Sequence, residues 1–453
     1  MDPLPPRADV KDAEKNDEST TSASAFSAEV RVATTPKQAG ETFAVAVTIS
    51  ELPEGGFRAW TTIAGAWLVQ FVNFGYVNAF GAYQDYYVRK YLTQSSPSDI
   101  GWIGGVQICF TFSMGVVTGR LFDAGYFYWL NISNLLLFAL GIFMLSLSHE
   151  NSYYQVFLSH GVAFGLASGL SYIPSLGIVG HYFKRKRPLA VGIVSSGSAL
   201  GAVIQPIMLN HLLNNEKIGF HIGVRISAAF NVFLLVIANC IMRTSLPPHK
   251  GGHPFPVKKY AKDVPYAIAV ISGMLFFLGL FFVVFYVQLY AVVHGVSNKM
   301  AFYSLAVLNA ASLVGRLLPG NFAPRFGPLN MSIIFMIANG IVTACMPIVR
   351  GTGGVLVYAI VYGLVSGGSI ALTPALILTL MDDPKEYGTR LGIFFFFGGL
   401  IGLVATPISG ALLTDQYHWV AASVFAGVFC IVTGFGYLIS RTIIAKKKGT
   451  HVL

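Results

Sequence analysis

No aspartate or glutamate falls within any of the twelve long apolar stretches of this 453-residue chain, and only 11% of all residues are charged. That scarcity argues against a set of soluble domains, in which about a quarter of residues are charged. It also removes the intramembrane carboxylate on which proton carriers commonly rely. Cysteine is scarce as well: Cys109, Cys240, Cys345 and Cys430 each lie inside an apolar stretch, without paired spacing and without a nearby histidine. Neither a disulfide framework nor a metal site is indicated, and the four read as small core residues. No Ser/His/Asp constellation and no phosphate-cradling glycine loop after a predicted strand is present. An enzyme is therefore not expected, no cofactor is implied, and no ATPase segment is there to drive a pump. The N-terminus lacks the basic-then-apolar pattern of a cleavable signal, so insertion is expected to begin with the first apolar stretch.

What is abundant is hydrophobicity, at 54% of residues with 13% aromatic. The stretches are 59–81, 100–119, 127–147, 153–180, 189–213, 222–242, 264–293, 300–319, 329–349, 354–380, 391–413 and 419–440. Each is about as long as the roughly 20 residues a helix needs to cross a bilayer. With both termini in the cytosol, cytosolic segments hold 23 of the 30 Lys and Arg, outer loops five and the spans two. The positive-inside rule accepts this orientation and rejects its reverse. The net charge of +10 is scattered over short loops, apart from clusters at 184–187 and 446–448. That distribution suits a face near anionic lipid and does not suggest nucleic acid. Residues 1–52, with nine acids, five bases and no periodicity, read as a disordered cytosolic tail. A six-helix bundle at 53–242, a cytosolic linker at 243–263, a second bundle at 264–440 and a basic tail at 441–453 complete the expected plan.

The halves repeat. Gly119-Arg120-Leu121 recurs as Gly315-Arg316-Leu317, and Gly165-Leu166-Ala167-Ser168-Gly169-Leu170-Ser171 as Gly363-Leu364-Val365-Ser366-Gly367-Gly368-Ser369. Gly197, Gly201 and Pro206 recur as Gly398, Gly402 and Pro407, so the offsets are 196, 198 and 201 residues in chain order. An offset of six spans preserves topology, so the repeat is parallel. The expected fold is all-α, with 12 transmembrane helices in two parallel six-helix bundles, the architecture of the major facilitator transporters. The repeated glycines are expected to let helices approach closely.

Two segments carry a resemblance. Glu54-Gly55-Gly56-Phe57-Arg58-Ala59-Trp60 resembles the signature at the first helix of monocarboxylate-transporter-like proteins. Gly180-His181-Tyr182-Phe183-Lys184-Arg185-Lys186-Arg187-Pro188-Leu189-Ala190-Val191-Gly192 resembles their loop into the fifth helix. With Ser196-Gly197-Ser198-Ala199-Leu200-Gly201 and Gly315-Arg316-Leu317-Leu318-Pro319-Gly320, the chain is most similar to the fungal branch over residues 53–440. Gly119-Arg120-Leu121-Phe122-Asp123-Ala124-Gly125 resembles the superfamily's loop motif, shortened by one residue. The resemblance implies that Asp123 steadies a gate through a neighbouring helix end and a basic partner, with Arg120 and Arg187 beside it; loop capping by Asp123 and solvated loop positions for Arg120 and Arg187 are the plain readings. Pro324 stands where the second copy would carry an acid, so any latch is one-sided.

Arg225 and Arg316 are the charged residues within the spans. Arg225 sits near an outer end, where it can snorkel. Asn309, Ser312 and Arg316 follow i, i+3, i+7 spacing and share one helix face, a guanidinium fork with neutral neighbours that suits a carboxylate. The resemblance implies that Arg316 contacts a substrate anion. The opposing reading places Arg316 four residues from the cytosolic end of its span, within snorkelling reach. Ser312 replaces the family's acid and Asn78 its lysine, which weakens lactate-type proton coupling. His160 is the embedded titratable candidate for proton coupling. Spans 1, 4, 7 and 10 are expected to wall a cavity with Gln70, Asn73, Asn78, Ser168, Ser171, Tyr172, Tyr286, Gln288, Tyr290, Tyr362, Ser366, Ser369 and Thr373. Interhelical hydrogen bonding is the plain alternative for each.

The function expected is a secondary or facilitative transporter of a small organic solute, an anion or a polar conjugated compound, working by alternating access. A proton-coupled monocarboxylate symporter and a transport-inactive nutrient sensor are the alternatives. The expected location is the plasma membrane, with the vacuolar membrane second.

Overall fold

A computed structural model describes residues 55–184, 186–245, 257–381, 386–413 and 418–449. The expected tail at 1–52, most of the linker and residues 450–453 lie outside the described residues. Twelve long helices carry the chain: α1 Phe57–Asn78, α2 Asp99–Asp123, α3 Phe127–Leu145, α4 Tyr153–His181, α5 Arg187–Leu213, α6 Gly219–Ile241, α7 Val264–Val293, α8 Asn298–Phe326, α9 Pro328–Ala344, α10 Gly351–Thr379, α11 Tyr387–Leu413 and α12 Trp419–Lys448. Among the described residues, eleven are long and apolar enough to cross a membrane, and the exception is α1. Its 22 residues would span about 33 Å, but Gln70 and Asn73 lower its hydropathy, and both are buried against neighbouring helices.

Two helices run further than the sequence suggests, and each extension moves a site residue. α2 continues to Asp123, so Arg120 belongs to its last turn and is not a loop residue. Its loop then turns at Gly125, whose φ of 89° favours glycine. α8 continues through Pro319 and Pro324 to Phe326. Arg316 therefore lies ten residues from its end, about 15 Å at helical rise. That is deeper than the four residues expected from the sequence, so the side chain would have further to reach to snorkel.

α1 packs on α5, where a Cβ on Gly201 would meet the Phe71 carbonyl and the Gly75 Cα, and one on Gly197 the Trp67 carbonyl. These glycines serve packing, as expected. The two bundles, α1–α6 and α7–α12, meet through α2 against α11 and α5 against α8. The described ends of the linker dock on opposite bundles: the Arg243 carbonyl accepts from the Tyr182 hydroxyl at 2.8 Å, and Val257–Lys262 is a short helix leading into α7.

Candidate functional site

Side chains converge between the bundles at two levels. The lower one is the end that the charge bias assigns to the cytosol, called here the basic end. Gly115 and Gly119 of α2 face Gly392 and Gly388 of α11 so closely that a Cβ on any of the last three would overlap the opposite backbone or the Asp123 carboxylate. That approach brings the Asp123 carboxylate onto the first turn of α11. It accepts from the Gly388 N–H at 3.1 Å, the Thr389 N–H at 2.8 Å and the Thr389 hydroxyl at 2.8 Å. An anion at a helix N-terminus is stabilised by unpaired N–H groups and by the helix dipole.

Arg187 is not a solvated loop base. It opens α5, is 7% exposed, and its guanidinium carbon lies 4.1 Å from the centroid of the Tyr387 ring at the start of α11. Arg390, one turn into α11, donates to Asp263 at 2.5 Å and pairs with Glu386 at 3.2 Å. It also lies 4.9 Å from the ring centroids of Tyr260 and Tyr266. Lys259 of the short linker helix pairs with Glu386 at 2.6 Å. Burial, with the Glu386 charge adding to it, pushes the Tyr260 hydroxyl up to about 12, so this ring remains neutral at physiological pH. Sequence reasoning missed Asp263, Glu386 and Arg390; the i, i+4 spacing of the last two was the available signal.

The upper level lies further from the basic end. Arg316, 5% exposed, reaches from α8 across to α5, where Nη1 donates to the Ser195 carbonyl at 2.6 Å and to the Ser198 hydroxyl. Nε donates to Ser312 at 3.4 Å, and Nη2 has no hydrogen-bond partner among the described residues. Tyr172 of α4 lies within electrostatic range of this guanidinium. Around Tyr172 the two bundles interlock through rings that a search for polar side chains overlooked: Phe74, Phe112, Phe277, Phe281 and Phe395.

Most of the other expected cavity residues have hydrogen-bond partners inside their own bundle. Asn73 donates to Ser171 at 2.9 Å and exchanges hydrogen bonds with Asn134 of α3, while Gln70 donates to Ser175 at 2.9 Å. Together they tie α1, α3 and α4 inside one bundle. Asn78, Asn309, Ser366 and Ser369 bond carbonyls of their own helices. Tyr286 is half-buried and stacks on Phe282 at 5.6 Å. The Tyr362 hydroxyl donates to the Leu280 carbonyl at 3.1 Å. His160 is fully buried, with Nδ1 3.0 Å from the Tyr87 hydroxyl, inside a cage formed by Tyr76, Phe80, Tyr83 and Phe164. Arg225 donates to Ser146 at 3.3 Å near the outer end.

The family profile described as Major Facilitator Superfamily matches residues 65–406. This chain belongs to the major facilitator superfamily. It is 37% identical over 385 residues to the "Aspyridones efflux protein apdF" of Emericella nidulans, covering 84% of this chain and 77% of that protein. It is 36% identical over 389 residues to the "Agnestins efflux protein AgnL12" of Paecilomyces divaricatus, covering 85% and 87%. Among solved structures, the human organic anion transporter MFSD10 superposes with a TM-score of 0.66 at 12% identity, over 84% of this chain and 99% of that one. The fucose:proton symporter FucP of E. coli gives 0.62 at 16% identity, over 83% and 98%. The facilitator is thus a multi-pass membrane transporter, not an enzyme. The narrower likeness to monocarboxylate transporters receives no support at this level.

Proposed function

We propose that this facilitator exports a small organic solute bearing an anionic group, by alternating access and without a nucleotide, with Arg316 as the residue that receives the anion. One observation carries the reading: a guanidinium buried deep between the two bundles holds one nitrogen without a partner among the described residues. A charge at that depth costs several kcal/mol, so it is retained where it has work to do. The efflux names of the fungal relatives support the direction of transport. The proton-coupled monocarboxylate reading loses ground because Ser312 occupies the place of the family's acid and His160 is fully buried in an aromatic cage within one bundle. The plasma membrane is the expected site, with the vacuolar membrane second.

Everted membrane vesicles supplied with a panel of labelled aromatic and aliphatic organic acids test this reading. Wild-type vesicles should accumulate at least one acid, and Arg316→Gln should lower the rate about tenfold or more, which corresponds to roughly 1.4 kcal/mol. Transport by the variant at the wild-type rate would return Arg316 to a purely structural tie between α8 and α5. No accumulation of any acid would defeat the export reading.

A further inference from the structure

Six rings form a continuous lattice across the bundle interface, three from each side. Phe74, Phe112 and Tyr172 come from α1, α2 and α4; Phe277 and Phe281 come from α7, and Phe395 from α11. Phe112 stacks on Phe395 with centroids 5.5 Å apart and planes 12° apart, and meets Phe277 edge to face at 5.2 Å. Tyr172 sets its edge against Phe395 at 5.0 Å and against Phe112 at 5.2 Å. Phe112, Tyr172 and Phe395 lie about 12–16 Å from the basic ends of their helices, level with Arg316.

Such a lattice within one bundle would be ordinary core. Between two bodies that must separate in every cycle, it is an interface that opens. When α2 and α11 part, the facing surfaces of Phe112 and Phe395 lose each other, and a second π surface is the partner that restores their contacts. Aromatic pairs favour offset-stacked and edge-to-face arrangements, and both kinds are already laid out around this slot. Tyr172 joins the lattice, and the Arg316 guanidinium crosses between the same two bundles from α8 to Ser195 and Ser198 of α5. The slot and the guanidinium thus belong to the same interface between the bundles.

The geometry points to a planar conjugated ring bearing an acidic group as the solute class, with the ring held between Phe112 and Phe395 and the anion at Arg316. This rests on the reading of Arg316 as the anion-binding residue. In the state described, the protein's own rings fill the slot. Solute and closure then compete for the same faces, which couples binding to opening of the basic end.

Two probes isolate the ring: 2-naphthoate and its saturated counterpart decalin-2-carboxylate, which share charge and ring number and differ in the π system. Binding is measured by calorimetry on the full chain in nanodiscs. Wild type should bind 2-naphthoate at least tenfold more tightly. Phe112→Leu and Phe395→Leu should each bring the two affinities within threefold, whereas Arg316→Gln should weaken both probes by a similar factor and preserve their ratio. Should a leucine variant fail to fold, the wild-type ratio alone decides. Equal affinities in wild type overturn the ring site and leave the export reading standing, as does a ratio that survives both leucine substitutions. No binding of either probe overturns both readings.

Discussion

Asp123 can act on α11 because the two residues it faces have N–H groups to give. The 201-residue offset that relates Gly197 to Gly398 makes Arg187 and Pro188 the counterparts of Gly388 and Thr389. Proline has no N–H, so an acid in the second copy would find half of this arrangement missing. The one-sided latch foreseen from Pro324 thus has a matching deficiency on the receiving helix. Asp123→Asn keeps one oxygen and loses the charge; at roughly 1–2 kcal/mol for an anion at a partly buried helix end, the closed-to-open ratio should fall about 5- to 30-fold. Turnover in vesicles should change more than the apparent affinity for solute. Unchanged turnover would remove Asp123 from the gate. Arg316 was legible from its spacing with Ser312 as a candidate for an anion, but the length of helix beyond it was not. A motif ending in Pro319-Gly320 looks like the end of a helix, and α8 absorbs both prolines and continues to Phe326.

At the scale of elements, the glycines divide by duty. Gly197 and Gly201 hold α1 against α5 inside one bundle, whereas Gly115, Gly119, Gly388 and Gly392 let α2 and α11 close between bundles. The α5–α8 seam is made the same way, with Gly192 under the Arg316 carbonyl and Gly320 against Leu189. Gly388→Leu should therefore insert and fold within its bundle, yet leave the basic end unable to close, with transport reduced at least tenfold and the passage open to thiol reagents from that side. Wild-type transport would show that the contact is incidental to the cycle. The repeats revealed these helices and their glycines. They did not reveal which glycines face a partner across the moving interface, because small residues look alike in either role.

For the whole molecule, alternating access requires the basic-end contact to be transient. Replacing Asp123 and Thr389 together by cysteine, in positions whose side chains now touch at 2.8 Å, should permit a disulfide between α2 and α11. Oxidation should stop transport and reduction should restore it. Continued transport by the fully oxidised protein would mean that α2 and α11 never separate there. Sequence by itself determined that the chain is a polytopic helical membrane protein and that its halves repeat, and its loop charge sets the expected orientation. These follow from local hydropathy, loop charge and spacing, each readable within one stretch. Tertiary structure alone decided which polar groups are consumed. Asn73 and Ser171 satisfy each other, and His160 is caged, because a buried hydrogen-bonding group takes the nearest partner that packing offers. It also decided that six phenyl and phenol rings, scattered from Phe74 to Phe395, meet across the bundle interface. Contacts between distant helices leave no periodic trace in the residues that make them.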